Sequence, residues 1–270
     1  MIAIDQSFFY NHLQKRDVSG NKYSFGNVLI YGGSTGKWGA SILACKSALR
    51  SGSGLVTALL DESLQSVFLE CIPEVMHLYQ FELENILKFD AIGVGSGLGL
   101  SDTSINHVHE LLQNFNKPMV LDADALNILS YHPSYYAHLK PYHVLTPHFG
   151  EASRLFGKKV TENNVTELGL SFVSNYPCTL VLKGPKTKVI AANGEVFINT
   201  TGNDGLATAG SGDVLTGIIT SFLGKGYEPS IAACLGVFVH GLMADHCNTH
   251  QSKSSMIATD LIEALKNIEI

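Results

Sequence analysis

Short apolar runs rich in β-branched residues alternate with longer stretches of helical periodicity along the first two thirds of the chain. The runs NVLIY, LVTALL, EVMHLY, DAIGV, MVLDAD and HVLTP predict strands, and the stretches ASILACKSALRSG and TSINHVHELLQNF predict helices. Strands that alternate with helices form βαβ units, in which a mainly parallel sheet lies between two layers of helices. The pattern therefore predicts a three-layer α/β/α sandwich.

The pattern changes in the last third of the chain. The run TLVLKG predicts one more strand, and KTKVIAANGEVFIN predicts two short strands around Asn193 and Gly194, a dipeptide typical of tight antiparallel hairpins. Three helices are predicted after this hairpin: one from Asp213, one from about Pro229 and one near the C-terminus. A small antiparallel hairpin is thus expected at one side of the parallel sheet.

The longest apolar stretch, SIAACLGVFVHGLMADHC, approaches the length of a membrane span. It contains His240 and the small residues Gly236 and Gly241, which suit close packing against other helices. We expect a buried helix inside the protein rather than a membrane helix.

The composition is that of a globular protein with a sizeable core, since 45% of the 270 residues are hydrophobic and 16% are charged. No linker or internal repeat interrupts the chain, so one domain is expected over 1–270, with 1–25 packed on it as an extension. A net charge of −6 argues against a broad nucleic-acid surface but allows a small anionic ligand. The five cysteines form no CxxC, and the N-terminus has no signal-peptide pattern, so reduced core cysteines in a cytoplasmic protein are expected.

Several unusual loops follow predicted strands: GGSTGKWG, GSGLG, DAD, TPHFGE and KGPKT. Ligands of open parallel sheets bind beyond the carboxyl ends of the strands, so these loops are expected to meet at a cleft. Two phosphate-binding motifs are near misses. The glycine spacing before Lys37 is one residue short of a P-loop, with Trp38 in place of Ser or Thr, and GVGSGLG does not fit G-x-G-x-x-G.

The segment ATAGSGDVLTG offers a stronger candidate, in which Gly210, Ser211 and Gly212 precede Asp213 at the start of a predicted helix. Backbone N–H groups at a helix start bind anions, and glycine lets phosphate oxygens approach them. Asp213 could cap the helix or accept a proton from an attacking hydroxyl during phosphoryl transfer. The residues alone leave both roles open.

Other polar residues give weaker signals. Asp122 and Asp124 would face opposite sides of a strand unless the strand ends between them. His107 and His109 alternate within a predicted helix and are expected on the surface. A metal site at His246, Cys247 and His250 is rejected, because no second ligand cluster has zinc-like spacing.

The segment TGNDGLATAGSGDVLTGI resembles the phosphoryl-transfer signature of ribokinase-like enzymes. In its full form it is similar to the ADP/ATP-dependent (S)-NAD(P)H-hydrate dehydratases. GNVLIYGGSTGKWGAS, AIGVGSGLG, VLDADALNIL, LTPHFGEASRLFG and LVLKGPKT agree in order, so the similarity spans nearly the whole chain from about Gly26. The resemblance implies a ribokinase-like fold.

The resemblance also implies a repair reaction. ADP or ATP, as co-substrate with Mg²⁺, would phosphorylate the hydroxyl of the S epimer of hydrated NADH or NADPH. Asp213 would be the base, the amides from Gly210 to Gly212 would stabilise the developing charge, and elimination of phosphate would restore NAD(P)H. Bacterial members of this family typically use ADP. The residues do not decide between ADP and ATP or between hydrated NADH and hydrated NADPH, and they do not identify the carboxylate that organises magnesium.

The implied binding residues follow from the matched segments. The nucleotide would contact Lys183, Gly184, Pro185, Lys186, Thr187 and Gly212, and the hydrated cofactor would contact Ala40, Gly97, His148 and Asp213. On residue chemistry alone, Lys183 suits a phosphate or a solvated strand end, and His148 beside Pro147 suits a packed loop. Trp38, close to Ala40, receives no role.

The resemblance further implies a homotetramer and a pathway shared with an epimerase. Many relatives carry an N-terminal domain that interconverts the two hydrate epimers, and only about two dozen residues precede the match here, so a separate epimerase is expected. Two alternatives stay open. One is a ribokinase-like kinase for a hydroxymethyl-pyrimidine or hydroxyethyl-thiazole, and the other is a nucleotide-binding module without catalysis.

Overall fold

A ten-stranded sheet organises the computed structural model, which describes residues 1–270. The strand order is β1-β10-β9-β8-β7-β6-β5-β2-β3-β4, and every pairing is parallel except those of β9 with β8 and β10. The strands are β1 (Ile2–Ile4), β2 (Asn27–Tyr31), β3 (Leu55–Leu59), β4 (Met76–Leu78), β5 (Ala91–Val94), β6 (Met119–Leu121), β7 (His143–Leu145), β8 (Thr179–Leu182), β9 (Lys188–Ile190) and β10 (Val196–Asn199). The predicted mainly parallel sheet with an antiparallel hairpin is confirmed.

Eleven α-helices cover the two faces of this sheet. They are α1 (Gln6–His12), α2 (Trp38–Arg50), α3 (Gln65–Cys71), α4 (Leu83–Ile86), α5 (Asp102–Asn114), α6 (Asp124–Tyr131), α7 (Phe149–Phe156), α8 (Val165–Asn175), α9 (Ser211–Gly224), α10 (Pro229–Cys247) and α11 (Ala258–Ala264). Successive strand residues point to opposite faces, so Val28 and Ile30 join one apolar core while Leu29 joins the other. The first core packs under α2, α9, α10 and α11, and the second under α5 to α8. The three-layer sandwich is thus confirmed.

The N-terminal residues contribute a strand that the hydrophobic pattern did not predict. β1 pairs in parallel with β10, and Ile4 at its end is buried in the first core. In the following helix, the ring of Phe9 stacks on Phe238 with centroids 5.0 Å apart. Three residues show no readable alternation, and their partner strand lies at the other end of the chain, so no local signal identifies them.

Helix α10 is the one helix long and apolar enough to cross a membrane by length and composition. Of its most apolar window, 78% is buried inside the protein, where it packs against α9, α11 and the sheet. The expected buried core helix is therefore confirmed.

Two expectations about individual side chains are wrong. His107 and His109 do point to different neighbours, but neither is a simple surface residue: His107 stacks on Phe81 and His109 on Tyr135, with centroids 3.8 and 4.1 Å apart. Among the cysteines, which are all free, Cys71 is exposed and the other four are buried. Burial raises the pKa of the thiols of Cys45, Cys178 and Cys234.

Candidate active site

The loops that follow β2, β5, β6, β7 and β8 meet at one edge of the sheet, because these strands are neighbours and parallel. Backbone hydrogen bonds join them: Gly33 N donates to Ser96 O and Lys183 N donates to Pro147 O, both at 2.9 Å. This edge is the cleft that the loop positions predict.

Glycines allow these loops to lie unusually close together. A Cβ atom at Gly95 would lie 1.9 Å from the carbonyl oxygen of Asp122, and one at Gly32 would lie 2.2 Å from the carbonyl oxygen of Ser96. The glycines that suggest phosphate-binding motifs in the sequence therefore serve backbone packing at these two positions.

Helix α9 begins at Ser211, two residues earlier than predicted. Its N-cap, Gly210, has φ +86°, and a Cβ there would lie 2.5 Å from Leu43 Cδ1, so both conformation and space require glycine. No side chain caps the helix. Ser211 N donates to the Thr208 carbonyl oxygen at 3.4 Å, and the amides of Gly212 and Asp213 have no backbone partner, so these two donors form a ready anion site. Asp213 is consequently not the side-chain cap, although as the acidic residue of the first turn it still interacts favourably with the helix dipole.

The side chain of Ser211 is turned away from the cleft. It is 5% exposed, its hydroxyl lies 3.1 Å from His240 Nε2, and the same nitrogen donates to the Ser211 carbonyl oxygen at 2.9 Å. Burial lowers the pKa of His240 to about 4, so the imidazole is neutral. The Ser211 hydroxyl is thus not available to an anion in the cleft.

Lys183 lies beside the first turn of α9 within a buried charged group. Its Nζ donates to Asp122 Oδ1 at 2.8 Å and lies 3.8 Å from Glu151 Oε2, while Thr216 donates to the second oxygen of Asp122 at 2.9 Å. Burial lowers the pKa of Lys183, but Asp122 and Glu151 outweigh it and the net pKa is raised. A Cβ at Gly212 would lie 3.5 Å from Lys183 Nζ, so this ammonium and the free amides face the same space.

Asp213 has the electrostatics of a general base. Burial, followed by the charge of Asp122, raises its pKa to about 6, and the hydroxyl of Ser96 and the charge of Lys183 offset part of the increase. A base is most effective when its pKa lies near the working pH. The carboxylate therefore holds or releases a proton in the physiological range.

Asp122 and Asp124 reach this site because β6 ends at Leu121, before either of them. The chain then turns at Ala123, the one non-glycine residue with positive φ (+47°). Such strained conformations cost about 1–3 kcal/mol and concentrate at functional sites. The predicted alternation across a strand does not apply, and both carboxylates are close enough to raise the pKa of Asp213.

Ser96 is a site residue that sequence reasoning missed. Its side chain is 1% exposed, and its hydroxyl lies close enough to Asp213 to lower the pKa of that carboxyl. Its position inside the glycine-rich loop GVGSGLG, directly after a predicted strand, is the sequence feature that could have identified it as a site residue. Glu151 and Thr216 were also missed, and Thr216 carries no signal at all because it lies within the apolar run of α9.

Ala40 and Gly97 are neighbours on the β2 and β5 side of the cleft. Gly97 has φ +62°, and a Cβ there would lie 3.1 Å from Ala40 Cβ and 2.7 Å from the carbonyl oxygen of Lys37. Lys37 in turn pairs with Asp124 at 3.2 Å. These predicted substrate contacts therefore form one wall of the cleft.

His148 has a clear structural role. It is the N-cap of α7, where its Nδ1 accepts from Gly150 N at 2.9 Å and Glu151 returns the contact by accepting from His148 N at 2.8 Å. The side chain is nevertheless 56% exposed. The ring thus keeps its packed-loop role, with Nε2 3.6 Å from Glu151 Oε1, while much of its surface stays open to solvent.

The five residues of the predicted nucleotide segment differ in their surroundings. Only Lys183 joins the charged group around Asp122. Gly184, Pro185 and Lys186 form an exposed turn that is closed by a hydrogen bond from Thr187 Oγ1 to the Gly184 carbonyl oxygen at 3.2 Å.

No group of three or more His, Cys, Asp or Glu residues could hold a metal ion by itself. The carboxylates of Asp122, Asp124 and Glu151 supply oxygen atoms, but Lys183, Lys37 and backbone amides already contact them. Mg²⁺ commonly uses one or two carboxylates together with substrate phosphates. The residues present therefore fit a magnesium ion that arrives with a nucleotide.

Comparison with known families gives one consistent result. A family model described as NAD(P)H-hydrate dehydratase matches residues 28–267. The chain is 37% identical over 280 residues to the bifunctional NAD(P)H-hydrate repair enzyme Nnr of Moorella thermoacetica, covering 96% of this chain and 53% of that relative. It is 38% identical over 247 residues to the ADP-dependent (S)-NAD(P)H-hydrate dehydratase of Neisseria meningitidis, covering 88% and 82%. The chain spans about half the length of the bifunctional relatives that it matches.

Solved structures agree with this result. A ribokinase-like superfamily protein from Enterococcus faecalis superimposes with a TM-score of 0.88 at 27% identity, covering 98% of this chain and 94% of the other. The ADP/ATP-dependent NAD(P)H-hydrate dehydratase of Bacillus subtilis, co-crystallised with ATP and Mg²⁺, gives 0.87 at 27% identity, covering 98% and 96%. The ribokinase-like fold and the resemblance that the sequence indicated are both confirmed.

Proposed function

The chain belongs to the NAD(P)H-hydrate dehydratase family, and from this premise we propose that it dehydrates the S epimer of hydrated NADH or NADPH at the expense of ADP or ATP. The observation that supports this activity most strongly is the uncapped start of α9. There, the free amides of Gly212 and Asp213, the Lys183 ammonium and a carboxylate with a pKa of about 6 surround one space.

The first step is phosphoryl transfer to the hydroxyl of the hydrate. Asp213 accepts the hydroxyl proton, the oxygen bonds to the terminal phosphorus, and the bond from that phosphorus to the leaving nucleotide breaks. With ADP the leaving group is AMP. Lys183 and the amides from Gly210 to Asp213 stabilise the charge that spreads over the transferred group.

The second step is elimination. The C–O bond breaks with its electron pair on the phosphate, and the neighbouring ring carbon loses a proton, which restores the dihydronicotinamide double bond. Phosphate is a far better leaving group than hydroxide, which explains why dehydration consumes a nucleotide.

Magnesium, when bound with the nucleotide, screens the phosphate charge. Asp122 and Glu151 are the residues that would hold it, because both carboxylates face Lys183 at the position proposed for the phosphates.

Absorbance of regenerated NADH tests the proposal. Purified protein is mixed with the S epimer of hydrated NADH, Mg²⁺ and ADP or ATP, and the R epimer serves as the matched control. We expect nucleotide-dependent recovery with the S epimer alone. A stable phosphorylated product without NADH would instead indicate a small-molecule kinase on a hydroxymethyl-pyrimidine or hydroxyethyl-thiazole type of substrate, and nucleotide binding without turnover would indicate a binding module.

We also propose that an epimerase acts in the same pathway, because a dehydratase selective for one epimer leaves the other unrepaired. The bifunctional relatives, of which this chain matches about half, support such a pairing. A homotetramer in the cytoplasm remains a prediction, and light scattering of the purified protein would measure its assembly state.

A further inference from the structure

A cavity of about 340 Å³ lies at the same edge of the sheet, beyond the carboxyl ends of β2, β3, β4 and β5. Ligand pockets in proteins are commonly about 300–1,000 Å³. The mechanism above uses none of the side chains that line this cavity, so its occupant is open.

The cavity and the nucleotide segment lie on opposite sides of the reacting groups. Along the sheet, Lys183 follows β8, Asp122 follows β6 and Gly97 follows β5, and the cavity extends from the end of β5 across β2 and β3 to β4. Neighbouring strands are about 4.8 Å apart, so the ends of β5 and β4 are separated by roughly 15 Å. An extended dinucleotide covers such a span.

One loop borders both the proposed hydrate site and the cavity. Gly32, Gly33, Ser34 and Thr35 line the cavity, and Ser34 N donates to the carbonyl oxygen of Gly97 at 2.6 Å. A ligand with its ring at Gly97 therefore reaches the cavity by passing over this loop.

Aromatic side chains give the cavity a surface for a planar ring. Tyr79 is 37% exposed, and Phe81 is held by stacking on His107 at 3.8 Å. The Tyr31 hydroxyl lies 2.7 Å from His107 Nδ1, and this hydrogen bond holds the His107 ring in place against Phe81. Large, rigid apolar faces of this kind suit a purine base.

The charge of the cavity lining favours a ribose with a free 2′-hydroxyl over a ribose that carries a 2′-phosphate. Asp61 follows β3; its Oδ1 accepts from both the amide and the hydroxyl of Ser63, and its second oxygen has no protein partner. The 15 lining residues include no lysine or arginine. In dinucleotide sites a carboxylate accepts from the ribose 2′-hydroxyl, and it repels a 2′-phosphate.

We propose that this cavity binds the adenosine half of the hydrated dinucleotide and that Asp61 favours hydrated NADH over hydrated NADPH. The inference rests on the proposed dehydratase function. It adds a second subsite for the substrate, which at its nearest edge, the end of β5, lies three strands away from the nucleotide segment.

Substrate truncation tests the subsite. The hydrate of reduced nicotinamide mononucleotide lacks the adenosine half, so we expect its kcat/KM to be at least about tenfold below that of hydrated NADH. Tyr79→Ala should remove most of that difference by raising the KM for the dinucleotide, and Tyr131→Ala, at a 62% exposed tyrosine outside the cavity, should leave it unchanged. Equal kcat/KM values for the two substrates in the wild type would overturn the subsite.

A matched pair of variants tests the selectivity. Asp17 makes the same contacts with Ser19 that Asp61 makes with Ser63, but it lies outside the cavity. We expect the wild type to prefer hydrated NADH over hydrated NADPH by about tenfold in kcat/KM, Asp61→Asn to reduce this ratio at least about fivefold, and Asp17→Asn to leave it unchanged. An unchanged ratio in Asp61→Asn overturns the role of Asp61.

The outcomes separate this inference from the proposed function. If wild-type protein converts no hydrated substrate with either nucleotide, the dehydratase proposal itself is wrong. If it converts all of them with kcat/KM values that depend on neither the adenosine half nor Tyr79, only the adenosine subsite is wrong.

Discussion

Helices α9 and α10 are neighbours in the same layer and pack on the same core, yet they begin in opposite ways. Helix α10 starts with Glu228, whose carboxylate accepts from the amide of Ile231, and has Pro229 in its first turn. Helix α9 starts with Gly210 in a left-handed conformation and has no side-chain cap. Caps and an N-terminal proline stabilise helices.

The contrast shows what each helix start is built for. The start of α10 satisfies its own backbone donors, whereas the start of α9 leaves them free and places a buried carboxylate beside them. An arrangement that forgoes available stabilisation is expected where a ligand completes the contacts. Substitutions at the two helix starts should therefore have opposite effects on stability and activity.

Gly212→Ala should give the largest loss of nucleotide affinity among changes that preserve the fold. The added Cβ makes only ordinary contacts, 3.5 Å from Lys183 Nζ, and removing a helical glycine stabilises by up to about 1 kcal/mol. The methyl group fills the space proposed for the phosphates, so nucleotide affinity should fall at least about 30-fold, roughly 2 kcal/mol. Calorimetric titration with ADP and a thermal melt measure both quantities. Unchanged affinity would place the phosphates elsewhere.

The pH dependence of kcat/KM should show an acidic limb near pH 6, with about a tenfold loss for each unit below it, because protonated Asp213 cannot act as a base. Ser96 lowers the pKa of Asp213, so Ser96→Ala should move this limb to higher pH. If the acidic limb of the Ser96→Ala variant lies at the same pH as that of the wild type, Ser96 does not lower the pKa of Asp213.

The same raised pKa predicts a cost in stability. Because the folded protein binds this proton more tightly than the unfolded chain does, stability falls as the pH rises from about 4 to about 6. Asp213→Asn should therefore melt at a higher temperature than the wild type at pH 7.5, with a smaller difference at pH 4.5. An equal difference at both pH values would contradict the burial of an ionised carboxylate.

Glu228→Ala should give the smallest effect. Losing the cap of α10 should cost about 1 kcal/mol, which corresponds to about 2–4 °C in Tm for a protein of this size. Activity should not change, because Glu228 lies outside the cleft at the start of α10. If Glu228→Ala lost turnover but not stability, the start of α10 would not have the purely structural role assigned to it here.

The sequence predicted those parts of the fold that have local signals. Repeated strand and helix patterns gave the sheet and its layers, and Asn193-Gly194 gave the hairpin, where Gly194 has φ +84°. The strand at Ile2–Ile4 was missed because its pairing with β10 is non-local. The aromatic contacts of His107 were missed because helical spacing does not show which element covers a helix face.

The candidate site was predictable only where residue type and loop position coincide. Asp213, Gly210 and Lys183 follow from that reasoning, and the resemblance adds Ala40 and Gly97. The side chain contacts of Thr216 with Asp122 and the strained turn at Ala123 depend on the folded backbone, which a linear pattern does not contain.

The most direct test of the central claim compares binding with turnover in Asp213→Asn. The start of α9 should still bind phosphate through its amides and Lys183, so ADP affinity should stay within about threefold of the wild type, while turnover of hydrated NADH should fall at least about 100-fold. Asp102→Asn, at an acidic first-turn residue of α5, is the matched control and should change neither quantity. Turnover by Asp213→Asn at the wild-type rate would contradict the account.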